Sequence, residues 1–255
     1  MGLGRTYGVG LIGLEGRIVE VEADIGQSLP AFILLGLPDA SLNESRDRVK
    51  SAAKNAGLPL SRRKITVNLM PADVHKRGSG FDLAIVMAAL AAAGDVRRTG
   101  RTVFLAELGL DGRLRPLRGV LPSVMAAVEA GYPDIAVAAA NAAEAALVPG
   151  ARVRGFASLA AVAQAFGARP DSLVFPAEEP SPGSQDTESG AAAPAGHDLA
   201  DIAGQDEARF ALEVAAAGAH HLLMTGPPGA GKTMLAERLP GLLPDLPDTP
   251  AMEVT

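Results

Sequence analysis

Gly226-Pro227-Pro228-Gly229-Ala230-Gly231-Lys232-Thr233 follows the apolar run His221-Leu222-Leu223-Met224-Thr225 and leads into a helical pattern from Met234 to Leu239. In composition and context this is a phosphate-binding loop. Its glycines let successive backbone N–H groups turn inward around a polyphosphate, the Lys232 ammonium can reach the β- and γ-phosphates, and the Thr233 hydroxyl can ligate magnesium. A helix opening at Lys232 adds the positive end of its dipole, so backbone and side chains act on the anion together. The reading predicts the strand, loop and helix that begin a P-loop α/β domain.

The 22 residues from Met234 to Thr255 leave no room for a second strand bearing the acidic residue that positions magnesium and water in such NTPases. The tail Pro240-Gly-Leu-Leu-Pro-Asp-Leu-Pro-Asp-Thr-Pro250 closes no domain. The expectation is therefore a fragment of a longer protein, one that holds nucleotide without hydrolysing it alone.

At 255 residues and 48% hydrophobic content, the chain has room for one complete domain and the beginning of another. A net charge of -6 argues against uniform coating of nucleic acid and leaves local basic faces open. The absence of cysteine excludes disulfides, thiolate metal sites and thiol nucleophiles; it fits a reducing compartment, with the cytoplasm as the expected location. Apolar runs such as Leu83 to Ala93 are too short to span a bilayer, so no membrane partner is expected.

From the N-terminus, residues 6 to 25 alternate apolar and polar side chains across Gly13 to Gly16, a hairpin pattern. Ala31 to Leu35 reads as a buried strand. Gly36-Leu-Pro-Asp39 then turns into a helix capped near Ser41, with Glu44 at the capping-box position, running to about Gly57. On this helix Ser45, Val49, Ala52, Ala53 and Ala56 form an inner face, and Arg46, Lys50 and Lys54 form a basic stripe at i, i+4 and i+8. Lys64 to Leu69 is a strand, Met70 to Gly80 a loop containing Asp73, His75, Lys76 and Arg77, and Phe81 to Ala93 a small-residue helix. Between residues 46 and 77 nine of the 23 lysines and arginines face two acids, Asp47 and Asp73, a local balance that suits a polyanion. Arg46, Lys50, Lys54, Lys76 and Arg77 are the candidate nucleic-acid contacts.

Thr102 to Gly109 and Arg113 to Pro116 read as strands around the Asp111-Gly112 turn. A helix from Leu121 to Ala130, a strand at Ile135 to Ala138, a helix at Asn141 to Leu147, a strand at Val153 to Phe156 and a helix at Ser158 to Phe166 complete a domain of residues 1–167. Residues 168–197 are rich in Pro, Glu, Ser, Gly and Ala and read as a disordered linker. Order is expected to resume over 198–255, with a helix running to Gly218 before the phosphate loop.

Two stretches carry a family resemblance. Asp198-Leu-Ala-Asp-Ile-Ala-Gly-Gln205 ahead of the phosphate loop resembles the entry to the ATPase module of magnesium-chelatase-like AAA+ proteins. Val9 to Glu22, Gly36 to Asp39 with Glu44-Ser-Arg46, Asn68 to Asp73, Phe81-Asp-Leu83 and Leu110 to Gly119 resemble their companion domain. Together they point to the YifB/ComM group, which covers nearly the whole chain. The resemblance implies an α/β (α+β) chain: a domain of the ribosomal-S5/Lon-protease type, then a linker, then the start of the AAA+ domain. It implies ATP and Mg2+ as cofactors, held by Gly226, Pro227, Pro228, Gly229, Ala230, Gly231, Lys232, Thr233 and Gln205, with Thr233 on the metal. It further implies self-assembly into a hexamer in the full-length parent and DNA as its partner, the parent acting as a branch-migration helicase. A chelatase motor inserting metal into a tetrapyrrole is the second reading, and a non-enzymatic binding or assembly domain the third.

The Lon relationship raises the question of peptidase chemistry, which needs a serine activated by a lysine. Gly80 falls at the serine position and Leu121 at the lysine position, with Ser79 one residue away. No peptidase activity is expected. His220 and His221 are expected to pack rather than to bind metal, His75 stands alone in a basic loop, and Asp82 is expected to cap the helix it opens.

Overall fold

The computed structural model describes residues 2–26, 29–35, 40–60, 64–71, 79–177, 198–247 and 251, with the side chains of 40–43 excepted. The chain divides into two compact units, Met1–Ala177 and Glu178–Thr255.

In the first unit β1 (Leu3–Ile12) and β2 (Glu15–Gly26) form the expected hairpin, in register from Leu3 opposite Asp24 to Ile12 opposite Glu15. Around it builds a seven-stranded sheet with β3 (Ala31–Leu35), β4 (Lys64–Met70), β5 (Val103–Leu105), β8 (Asp134–Ala138) and β9 (Arg152–Phe156), in the order β3-β4-β2-β1-β5-β8-β9. The hairpin and the β2–β4 pair are antiparallel; the β3–β4, β1–β5, β5–β8 and β8–β9 pairs are parallel. Helix α1 (Ala40–Asn55) connects β3 to its parallel neighbour β4, as a crossover must. A separate two-stranded ribbon, β6 (Glu107–Leu108) with β7 (Leu114–Arg115), carries the Asp111-Gly112 turn.

The helix at the centre is α2 (Asp82–Ala93), ten of whose twelve residues are buried. A helix apolar all round has no solvent face and must be enclosed. It lies close enough to β1 that a Cβ on Gly2 or Gly4 would collide with the backbone oxygens of Ala92 and Ala88, and one on Gly8 would come within 2.9 Å of the Phe81 ring. Thr6, fully buried, satisfies its hydroxyl by donating to the Ala84 carbonyl at 2.8 Å. Gly94 ends the helix at φ 78 with its N–H on the carbonyls of Leu90 and Ala91. The outer elements are α3 (Val120–Glu129), α4 (Ala142–Ala145) and α5 (Leu159–Ala165), the last capped by Ser158, whose hydroxyl accepts from the Ala161 N–H at 3.3 Å.

Several expectations change. Ala31–Leu35 is a strand, but an edge strand: Phe32 is buried, whereas Ile33 and Leu35 are 37% and 47% exposed, because only β4 flanks it. The expected strand Thr102–Gly109 breaks at Ala106, whose carbonyl accepts from the Leu83 N–H at 3.3 Å, so the chain leaves the large sheet for the β6–β7 ribbon. Helix α1 begins at Ala40, which puts Ser41 inside the first turn rather than at the cap. The first unit also continues past Gly167. Leu173 packs on the core, and the Val174 N–H bonds to the Ala56 carbonyl at 3.1 Å.

Asp82 is no cap; its own helix takes no side-chain cap bond. Fully buried, it accepts from the Arg48 guanidinium of α1 at 2.8 and 3.3 Å and from the Leu108 N–H at 3.3 Å, with the Ser45 hydroxyl also bonded to it. Burial pushes its carboxyl above the ordinary carboxylate range, against the pull of Arg48, Ser45 and Leu108; burial is the larger effect. The sign follows by linkage. A carboxyl whose folded value is raised favours the folded state at low pH, and that contribution is lost as pH rises through the raised value. Arg48 is what makes the ionised form tolerable there. Arg48→Ala should cost about 3 kcal/mol, toward the low end for breaking a buried pair because Arg48 keeps some solvent contact. Its chemical denaturation midpoint should fall further as pH rises from mildly acidic to neutral, and Asp82→Asn added to Arg48→Ala should abolish that extra slope. A pH-independent deficit in the single variant would refute the pair's role.

In the second unit Asp198 and Asp201 form a reciprocal capping box, with the Asp198 side chain accepting from Ala200 N–H at 2.9 Å and Asp201 from Asp198 N–H at 3.3 Å. Helix α6 (Asp206–Ala217) stops at Gly218 as expected, and Leu199, Ile202, Leu212 and Leu235 bury against one another. His221–Thr225 carries no strand: Leu222 and Leu223 are 38% and 87% exposed. A strand needs a neighbour for its N–H and C=O groups, and no described segment of this unit supplies one. Among the described residues no helix is long and apolar enough to cross a membrane.

Candidate nucleotide site and basic face

The phosphate loop turns at Gly229 and Gly231, both left-handed at φ 81° and 79°, conformations that glycine adopts without steric cost. The Ala230 N–H closes a turn on the Pro227 carbonyl at 3.3 Å. Gly231 is then the N-cap of α7 (Lys232–Ala236), whose opening N–H groups have no partner within the helix. Lys232 folds over the mouth of the loop and donates to the carbonyls of Gly226 at 3.0 Å and Pro227 at 2.9 Å. Thr233 is exposed. An ammonium already at the mouth, a free hydroxyl beside it and a backbone bent through two glycines fit a polyphosphate with its magnesium.

Gln205 stands behind the loop. It is the N-cap of α6 at φ 55, and its side-chain amide donates to the Ala230 carbonyl at 3.4 Å. A Cβ on Gly231 would lie 2.7 Å from the same amide nitrogen, so the loop and Gln205 leave no space between them. Sequence reasoning missed Arg238, which is 9% exposed and ties α7 to the Asp198 turn by donating to the carbonyls of Asp198 at 3.1 Å and Met234 at 2.8 Å. Its place just past the helix end, where cations meet the last carbonyls, is the signal that would have found it. His220 and His221 are exposed rather than packed. Among the described residues no group of three His, Cys, Asp or Glu side chains is arranged to hold a metal.

On the first unit Arg46, Lys50 and Lys54 are all exposed on α1, while Ser45, Val49, Ala52, Ala53 and Ala56 on its other side are buried. Arg46 pairs with Asp47 at 3.3 Å, and the Lys50 ammonium lies 5.8 Å from the centre of the Phe32 ring. Lys76 and Arg77, with Asp73 and His75, fall outside the described residues. One residue before Gly80, which stands at the Lon-type serine position, Ser79 donates its hydroxyl to the Glu107 carboxylate, and Leu121, at the lysine position, is 3% exposed in α3.

Fold and loop together define an α/β domain followed by a P-loop-like module. Residues 21–141 match the family described as Subunit ChlI of Mg-chelatase, and residues 198–255 match Magnesium chelatase, subunit ChlI. An uncharacterized protein of Mycobacterium tuberculosis is 49% identical over 257 residues, covering 100% of this chain and 49% of the relative. The Competence protein ComM of Haemophilus influenzae is 39% identical over 258 residues, covering 99% of this chain and 49% of its own length. The Uncharacterized protein YifB of Escherichia coli is 39% identical over 255 residues, covering 99% and 48%. The chain belongs to the magnesium-chelatase-like AAA+ proteins, in their ComM/YifB-like group. It spans about half the length of these relatives. The ChlI family uses ATP, depends on magnesium and is generally oligomeric.

Because Gly231 combines a positive φ with contact against Gln205, Gly231→Ala should displace both. A fluorescent ATP analogue titrated in the presence of magnesium should bind about tenfold more weakly to this variant, with the thermal midpoint of the whole chain little changed. Unaltered affinity would show that the loop does not depend on this close approach.

Proposed function

We propose that this chain is the nucleotide-holding part of an AAA+ motor that acts on DNA, assembling as a hexamer in the longer parent and working in the cytoplasm. The observation that carries the reading is the Lys232 ammonium poised over a loop bent at Gly229 and Gly231. Gly226 to Gly231 would supply backbone N–H groups, Lys232 the charge on the β- and γ-phosphates, and Thr233 a hydroxyl for Mg2+. Gln205 would hold the loop from behind. Bound Mg-ATP would supply the phosphoryl group whose loss drives such motors.

Moving Lys232 from its two carbonyls to an anion exchanges neutral acceptors for charged ones, which are roughly twice as strong. Lys232→Ala should therefore weaken Mg-ATP binding by at least about tenfold by isothermal titration, an effect on the order of one charged hydrogen bond. Equal affinity in wild type and variant would sink the nucleotide assignment.

The DNA part of the reading rests on the exposed cations of α1. Phosphate neutralisation by Arg46, Lys50 and Lys54 gives an affinity that falls steeply with salt and shows little sequence preference. Reversing the three together to Glu should weaken DNA binding and flatten the salt slope, with circular dichroism unchanged. The same affinity and slope as wild type would leave the stripe a solvated helix face.

A further inference from the structure

Three cavities on the first unit join into one groove. The first, about 240 Å³, lies between β3 and α1 and is lined by Phe32, Lys50, Lys54, Pro59 and Leu60 among others. The second, about 290 Å³, shares Pro59 and Leu60 with it and continues over Leu58 to Asp95 and Ser172. The third, about 560 Å³, shares Leu58, Asp95 and Ser172 with the second and ends between Arg97 and Arg169. A path that begins between two amines thus finishes between two guanidinium groups.

The far wall is fixed by backbone contacts. The Arg97 N–H bonds to the Phe166 carbonyl at 2.7 Å, and the Val174 N–H to the Ala56 carbonyl at 3.1 Å. Gly57 sits so close to the Ser172 carbonyl that no Cβ would fit. At the amine end the floor is apolar, with Phe32 and Leu60 each exposing 7% of their surface, and the second and third cavities are walled largely by polar groups.

Lys50, Lys54, Arg97 and Arg169 are exposed, and among the described residues none has a carboxylate partner. Elsewhere on the unit Arg5, Arg48 and Arg152 are paired with Glu20 and Glu22, Asp82 and Asp134. Among the described residues Asp95 is the only acidic side chain in the groove's lining. Cations at both ends of one path call for a ligand that carries charge along its length. The apolar floor at the amine end takes a flat apolar face. A phosphate-linked single strand, whose unstacked bases are free to lie on that floor, has both properties.

We infer that the groove is the seat of a single strand of nucleic acid, its phosphates on Lys50 and Lys54 at one end and on Arg97 and Arg169 at the other. This rests on the nucleic-acid reading of the first unit and adds to it the form of the ligand and a second cationic end that the α1 stripe lacks. Binding of the whole chain to labelled oligo(dT) should be followed by fluorescence anisotropy across a salt series, beside a duplex of equal length and polyglutamate as competitor. Arg97→Glu with Arg169→Glu should weaken oligo(dT) binding about tenfold or more and lower the salt slope by about 1.4, at roughly 0.7 for each single-strand phosphate contact. Arg17→Glu with Arg118→Glu, exposed positions outside the groove with the same change in net charge, should weaken it no more than about twofold. Equal losses in the two pairs, or tighter binding of duplex than of oligo(dT), would overturn the groove while leaving DNA contact through α1 intact. Polyglutamate bound as tightly as oligo(dT) would make it an acidic-peptide site instead. Absence of any nucleic-acid binding by the wild-type chain would fell the broader reading, and the groove with it.

Discussion

The close seating of α2 on β1 is the constraint on which the first unit depends. Gly2 and Gly4 bring the chain against the Ala92 and Ala88 carbonyls of the helix at distances no Cβ would allow, and Gly8 brings it against the Phe81 ring just ahead of the helix. A helix that is apolar on all sides gains from this enclosure on every face. Once α2 is enclosed, its first turn fixes Asp82 in the interior, and Asp82 in turn fixes Arg48 and the rotation of α1. The outward face of α1, with its cations, is thus set by a contact at the centre of the molecule.

The same chain of consequences gives the groove its form. With α1 held at Asp82, its C-terminal end at Ala56 and Gly57 receives the returning segment after α5, through a backbone bond and a contact that only glycine permits. That segment carries Arg169 and Ser172 to the neighbourhood of Arg97. The second unit follows a different logic. It has a small core of Leu199, Ile202, Leu212 and Leu235, and its loop is positioned by polar contacts from Gln205 and by Arg238 bracing the helix behind it.

Local rules made much of this legible in the sequence. The hairpin came from alternation across Gly13 to Gly16, α2 from its run of small apolar residues, the end of α6 from Gly218, and the phosphate loop from its glycines and Lys232-Thr233. These features are properties of neighbouring residues. The inner and outer faces of α1 were likewise readable, because helical spacing alone sorts Val49, Ala52 and Ala53 from Arg46, Lys50 and Lys54. What failed were statements about partners. Asp82 resembles a helix cap in sequence, and nothing local reveals that Arg48 lies across from it.

The sequence by itself determined the kinds of element in the first unit, their order and the residue types at the phosphate loop, since periodicity and turn residues act over a few positions, but it promised a strand at His221–Thr225 that the second unit does not form. Only the tertiary structure decided which strands are edges, where Thr102–Gly109 divides between two sheets, and that the segment beyond Gly167 folds back on α1. The physical reason is the same in each case. A strand's burial, a buried charge's ionisation and a groove's lining depend on what approaches from distant parts of the chain, and the energy of that approach is not written in any one stretch.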